Sequence, residues 1–251
     1  MLRKGVKSPQ KGRSIVKVAI SMCCLHDRFV LGELNNVSFL KYAASLAVDG
    51  VELCDQYLTN FGELEKVCQV LEETGLEVAC YALTQHLEKP EALMRGIENG
   101  LQLGASCIRI SEPFVGLPEI LPYLEEQELT LCLDQGRLPL SIDSPYVKST
   151  FHMADFFLLG ERPHSKVGHV RASDLRLADS HEKSRSVRGQ DGEHYVGSVL
   201  GLGLVEVEAI IRALWEQNYT GWISVDFSGL ENPLFGLEAS LKNLRHYLRE
   251  L

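Results

Sequence analysis

HVRASD, residues 169–174, closes an apolar stretch, KVGHVRASD, late in a chain of 251 residues. In an extended strand, side chains alternate between two faces, so His169, Arg171 and Ser173 share one side and Val170, Ala172 and Asp174 the other. An imidazole and a guanidinium on such a run describe a strand that delivers polar groups to its C-terminal end. That face can bind a metal, bind a substrate, or serve the fold alone.

Similar runs recur on either side of it: VKVAISM (16–22), GVELC (50–54), LEVACYAL (76–83), SCIRIS (106–111), LTLCLD (129–134), LPLSID (138–143), KVGHVRAS (166–173) and GWISVDF (221–227). Between them lie segments of helical period, with Leu64, Val67, Cys68 and Leu71, and then Val207, Ile210, Ile211 and Leu214, at i, i+3, i+4, i+7 spacing. Gly50, Gly75, Gly104 and Gly221 fall between a helical segment and the next strand, where a left-handed cap suits glycine. Strands alternating with helices point to parallel βαβ units. Eight such strands predict a (β/α)8 barrel over residues 15–251, with a doubly wound open sheet as the alternative. One join resists, because only eight residues separate Asp134 from Asp143 and parallel neighbours need a crossover of about a dozen. Either one run is not a barrel strand, or the barrel is incomplete or distorted at its fifth and sixth strands.

Twenty-five basic against 34 acidic residues give a net charge of −9, a field that repels phosphate backbones and argues against a nucleic-acid partner. Seven cysteines without a CxxC pair, several inside apolar runs, read as reduced core thiols of a cytoplasmic protein. Residues 1–14, MLRKGVKSPQKGRS, read as a flexible basic leader, with no apolar region to make them a signal peptide. No apolar run approaches the roughly 20 residues of a membrane span. The polar run Asp179–Tyr195 is expected to be a mobile or disordered loop, or a lid, over the barrel mouth.

In a parallel barrel the strand C-termini converge on one rim. Glu52, His86, Glu112, Asp134, Asp143, the His169/Arg171 pair and Asp226 all end strand candidates, and His26 follows the first. Asp134, Asp143 and Asp226 could hold a divalent cation, since hard cations favour carboxylate oxygens; Asp134 and Asp143 could equally cap turns. Trp222 and Tyr219 are expected to pack a helix against the last strand.

The arrangement resembles the xylose isomerase-like TIM barrels, a group containing sugar isomerases, epimerases and abasic-site endonucleases. The resemblance spans roughly residues 16–248 and is clearest in KVGHVRASDLR, like the family's seventh strand, and in GLGLVEVEAIIRALWEQNYTGWISVDFSG, like its G-x-G turn, helix, gY-x-G step, strand and carboxylate. It implies a sugar or polyol isomerase or epimerase moving a proton next to a carbonyl, with Mn, Mg or Zn. Its metal ligands come as Glu, Asp, His and Glu from strands five to eight. Asp134, Asp143 and Asp226 match the carboxylate positions, but Arg171 stands at the histidine's place and Tyr146 where a second histidine is usual. A guanidinium cannot ligate a cation. It can pair with the aspartates, or bind a substrate carboxylate or phosphate in place of the metal's charge. The resemblance therefore implies Glu52, Arg171 and Asp143 as catalytic groups, with Glu52 or an aspartate as base. His26, His86, Glu112 and His169 would bind a carbohydrate-like substrate. A catalytically inactive binding or regulatory barrel is the alternative, and a homo-oligomer is left open. Glu52, Asp143, Arg171 and Asp226 are expected to meet at one rim, with Arg171 in ion-pair reach of an aspartate.

Overall fold

The computed structural model describes residues 16–58, 61–84, 90–111, 117–134, 143–160 and 166–251. His86, Glu112 and the basic leader lie outside them. Seven parallel strands come first: β1 (Lys17–Ser21), β2 (Gly50–Cys54), β3 (Glu77–Leu83), β4 (Cys107–Ile110), β5 (Thr130–Asp134), β6 (Val147–His152) and β7 (Val167–Ala172). A small antiparallel sheet follows, β8 (Asp174–Leu177), β9 (Val187–Arg188) and β10 (His194–Ser198), before β11 (Trp222–Val225) completes the barrel. The closed order is β1-β11-β7-β6-β5-β4-β3-β2, so this is a (β/α)8 TIM-type barrel with all eight strands. The helices are α1 (His26–Val30), α2 (Asn36–Ser45), α3 (Phe61–Thr74), α4 (Pro90–Gln102), α5 (Leu117–Glu126), α6 (Met153–Leu159), α7 (Val207–Glu216) and α8 (Pro233–Arg249). None of them is long and apolar enough to cross a membrane.

Outward-facing strand residues such as Ile20, Val51, Leu53, Ile108 and Leu131 are buried together with the helical stripes, including Leu64 and Val67 of α3 and Ile210, Ile211 and Leu214 of α7. Burying each such side chain contributes about 1.5–3 kcal/mol. Inside the barrel, Trp222 packs with Ala19 and Ala79, and its Nε1 donates to Ser106 Oγ at 3.1 Å. This ring sits in the interior at the N-terminal end of β11.

Several expectations are corrected, beginning with Trp222, which packs inside the barrel and not between a helix and the last strand. The sixth strand is Val147–His152, not LPLSID, which moves the β5–β6 crossover to residues 135–146 and gives it the length parallel pairing needs. Asp143 then precedes β6 at the opposite end from the rim, where its exposed carboxylate accepts from Lys166 Nζ at 2.9 Å. Of the four glycines, Gly75 and Gly104 take positive φ, whereas Ala47 and Asn218 make the left-handed step before β2 and β11. The run Asp179–Tyr195 also has regular structure, as β9 and its pairing with β10 show.

The G-x-G turn is held by Asp174, which is 2% exposed. Its carboxylate accepts from the backbone N–H groups of Leu175, Gly201, Gly203 and Val205 at 2.7–3.0 Å. A Cβ at Gly203 would collide with that carboxylate, so glycine is required there. Hydrogen bonds to a charged group are each worth roughly 1.5–3 kcal/mol, enough to fix the chain's return from β10 to α7.

Candidate functional site

Glu52 is the centre of the interior network and is fully buried. Its neighbours follow from strand order: Ser21 lies opposite it on β1, and β11 and β7 are the next strands round the barrel. Ser21 Oγ donates to its Oε1 at 3.2 Å, Arg109 Nη2 lies at 3.4 Å, Arg171 Nε at 3.4 Å, and His169 Nε2 stands 3.0 Å from Oε2. Arg171 reaches onward, its Nη2 3.0 Å from Asp226 Oδ1, and Arg109 Nη1 donates to Asp134 at 3.1 Å. His152, at the end of β6 and in register with Arg171, closes the ring: Nε2 is 3.0 Å from Asp226 Oδ2 and Nδ1 is 3.2 Å from Asp155.

The charges hold one another in place. Burial pushes the Glu52 carboxyl up, but Arg171, Arg109 and the His169 hydrogen bond overcome it and hold the group far below the usual carboxylate range. Asp226 is likewise raised by burial and lowered by Arg171 and His152, with a net downward shift. Arg171 is disfavoured by burial, yet Asp226 and Glu52 raise it well above its ordinary value. For His152, burial works against the charged ring, and the bonds to Asp155 and Asp226 prevail, raising it from 6.5 to about 9.

A raised folded-state value means that His152 contributes stability fully present below about pH 6.5 and lost as pH rises through about 9. The rise from 6.5 to about 9 corresponds to roughly 3 kcal/mol. His152→Gln should therefore be less stable than the natural protein at pH 6 by about that amount, with the gap closing by about pH 10. Urea unfolding across this range checks it; a gap that stays constant with pH would exclude the charged imidazole as its cause.

Above the network lies a cleft of about 560 Å³, lined among others by Cys23, His26, His152, Arg171, Arg185 and Asp226. His26 stands at its edge with Nδ1 2.6 Å from the Tyr57 hydroxyl. Arg185 comes from the segment between β8 and β9, so the small antiparallel sheet furnishes part of the wall.

Of the expected site residues, Glu52, His169, Arg171, Asp226 and, through Arg109, Asp134 are brought together, and His26 borders the cleft. Asp143 is not. Arg171 is in ion-pair reach of Asp226, as expected. Sequence reasoning missed Arg109 and His152, although Arg109 in CIRIS shows the same sign as Arg171 in HVRAS, a guanidinium inside a buried strand.

The mouth residues do not fit a divalent cation. The carboxylates face guanidinium groups, and among the described residues the clusters with metal-ligand proximity are Cys80, Cys107 and His169, beneath the mouth, and Asp179, His181 and Glu182.

No protein-family model and no curated protein matches the chain. Solved structures do. A xylose isomerase domain protein from Planctomyces limnophilus superposes with a TM-score of 0.66 at 16% identity, covering 95% of this chain and 98% of that one. D-allulose 3-epimerase from Methylomonas sp. gives 0.63 at 10% identity, covering 93% and 98%. A xylose isomerase-like TIM barrel protein from Mycobacterium smegmatis, solved in complex with magnesium, gives 0.60 at 15% identity, covering 93% and 96%. With near-complete coverage on both sides, the chain has the fold of the xylose isomerase-like TIM barrels.

Proposed function

We propose that the protein is a sugar isomerase or epimerase in which a fixed guanidinium takes the part of the metal. The observation that carries this is Arg171, which stands between Asp226 and Glu52 beside His152 on the floor of the cleft. Asp226, which lines the cleft, accepts the proton from the carbon next to a carbonyl. Arg171 stabilises the enediolate that results, as a preorganised cation does for developing negative charge. His152, protonated below about pH 9, returns a proton, to the opposite face of the same carbon in an epimerase or to the neighbouring position in an isomerase. Glu52 is too deep to meet substrate; it positions Arg171 and Arg109. A carbohydrate-like ligand is supported by the D-allulose 3-epimerase neighbour, which has been solved with D-allulose bound. Arg171 and Arg185 together favour a substrate carrying a carboxylate or phosphate.

A second reading, a barrel that binds such ligands without turning them over, is favoured by the low proton affinity of Asp226, because a carboxylate held ionised is a weak base. Proton NMR in D₂O with a panel of ketoses and ketose phosphates separates the two. Deuterium entering the carbon beside the carbonyl, at a rate reduced about 10²-fold or more in Asp226→Asn, is the expected result. Thermal stabilisation by members of the panel without any exchange would establish the binding barrel instead.

A further inference from the structure

Beneath the mouth network, inside the barrel, three cysteines from consecutive strands form a cluster of their own: Cys80 of β3, Cys107 of β4 and Cys132 of β5. Cys80 and Cys107 stand laterally opposite, as the neighbouring register Tyr81↔Ile108 requires. The Sγ atoms of Cys80 and Cys107 and a ring nitrogen of His169 all lie within 4.8 Å of one another, and all three residues are buried. Cys132 neighbours Cys107, and its Sγ lies 2.6 Å from where a Cβ on Gly168 would stand, so it abuts the backbone just before His169. All three thiols are free.

His169 supplies the second observation. Its ring is fully buried, Nε2 is engaged by Glu52 at 3.0 Å, and among the described residues Nδ1 has no hydrogen-bond partner. A buried ring nitrogen without a partner costs roughly 1–3 kcal/mol, and here it belongs to a ring next to two thiols. In the tautomer that directs an Nε2 proton at Glu52, Nδ1 carries a lone pair. A carboxylate that orients an imidazole in this way is the usual outer partner of a metal-bound histidine.

We propose that Cys80, Cys107 and His169 Nδ1, with Cys132 as fourth ligand, form a structural zinc site inside the barrel, beneath the cleft and joined to its network through the bond from His169 to Glu52. Three sulfurs and one imidazole are a common closed set for structural zinc. From Zn–S of about 2.3 Å and Zn–N of about 2.0–2.1 Å, the ligand atoms of a tetrahedral site stand about 3.5–3.8 Å apart. Cys80, Cys107 and His169 therefore need to close by about 1 Å, while Cys132, outside that 4.8 Å grouping, has to turn toward it. Binding is balanced by release of the thiol protons: each S–H bond, including the one Cys107 directs at the Ala79 carbonyl at 3.5 Å, gives way to a Zn–S bond and a proton leaves to solvent. The resulting thiolate charge faces Arg109, whose guanidinium lies close enough to interact with Cys80. The hard-cation preference for oxygen donors makes Mg²⁺ or Mn²⁺ a poor occupant.

The test uses the full-length protein produced in zinc-supplemented medium and desalted. Elemental analysis should find close to one zinc per chain, and zinc K-edge absorption should show a first shell dominated by sulfur. Cys107→Ser and Cys80→Ser should each lower the zinc content at least about tenfold, while Cys23→Ser, outside the cluster, leaves it unchanged. If the serine variants fail to fold, refolding the natural chain with Co²⁺ gives a second reading through thiolate-to-metal charge-transfer absorption. Metal-free protein with seven titratable thiols, a Cys80–Cys107 disulfide by mass spectrometry, or a zinc shell of oxygen and nitrogen alone would overturn the site. None of these outcomes bears on deuterium exchange at the cleft.

Discussion

Glu52→Ala is expected to lower the unfolding free energy by about 3–5 kcal/mol, the range found when one member of a buried ion pair is removed and its partner stays behind. Glu52 is fully buried and faces two guanidinium groups, the side chain of Arg109 about 5% exposed and that of Arg171 about 14%. Among the described residues, removing the carboxylate leaves Arg109 paired with Asp134 and Arg171 with Asp226, and the two cations repel across the vacated space. The imidazole of His169 loses its acceptor as well. For a chain of this size the loss corresponds to a fall in Tm of roughly 6–20 °C. Glu52→Gln keeps the volume and one acceptor oxygen but not the charge, and should fall between the two. Calorimetry or urea unfolding at neutral pH checks the series. Coupling can be read from Glu52→Ala combined with Arg171→Met, which should cost less than the sum of the single changes because no unpaired charge then remains on that side. If Glu52→Ala costs under about 1 kcal/mol, the network is not what holds the barrel interior together.

Much of this was legible in the sequence, and the failures have physical causes. Seven of the eight strands were found because their outward faces are apolar enough to show as runs, as in GVELC and EVACYAL. β6 was missed because its inward positions, Lys148, Thr150 and His152, break VKSTFH into a polar pattern, while LPLSID nearby is more apolar. The crossover-length rule had marked the error, since sliding the strand to Val147 restores twelve residues between β5 and β6. Asp143 followed that mistake: assigned to the end of a strand, it lies at the start of one, paired with Lys166. His152 went unread for the same reason. The charged interior is harder to read in principle, because a lone Arg109 or Glu52 in an apolar strand looks like an anomaly until barrel closure shows which partners meet. Closure brings β2 beside β1 and β1 beside β11, and that neighbourhood is not written in any local pattern.

Arg171→His is expected to strengthen Mn²⁺ binding, which the natural protein should show weakly or not at all. In the natural chain, Glu52 and Asp226 are the carboxylates nearest the place where a cation would sit, and both are neutralised by the same guanidinium, Arg171. An incoming divalent ion would have to displace that group or sit beside it. Two charges, one of them double, about 4 Å apart at an effective dielectric near 20 repel by roughly 8 kcal/mol; even a third of that would cost about a hundredfold in affinity. The substitution removes the repulsion, releases the hold of Arg171 on both carboxylates and adds an imidazole at the same register position, opposite His152. Calorimetric titration with Mn²⁺ should therefore show at least about hundredfold tighter binding in the variant. Arg171→Lys, which keeps the charge, should stay as weak as the natural protein. Mn²⁺ is the right probe because it avoids thiolates and will not report on the cysteine cluster. Tight Mn²⁺ binding by the natural protein, unchanged in Arg171→His, would show that the guanidinium does not occupy the metal's place, and the proposed metal-free chemistry at the cleft would fall with it.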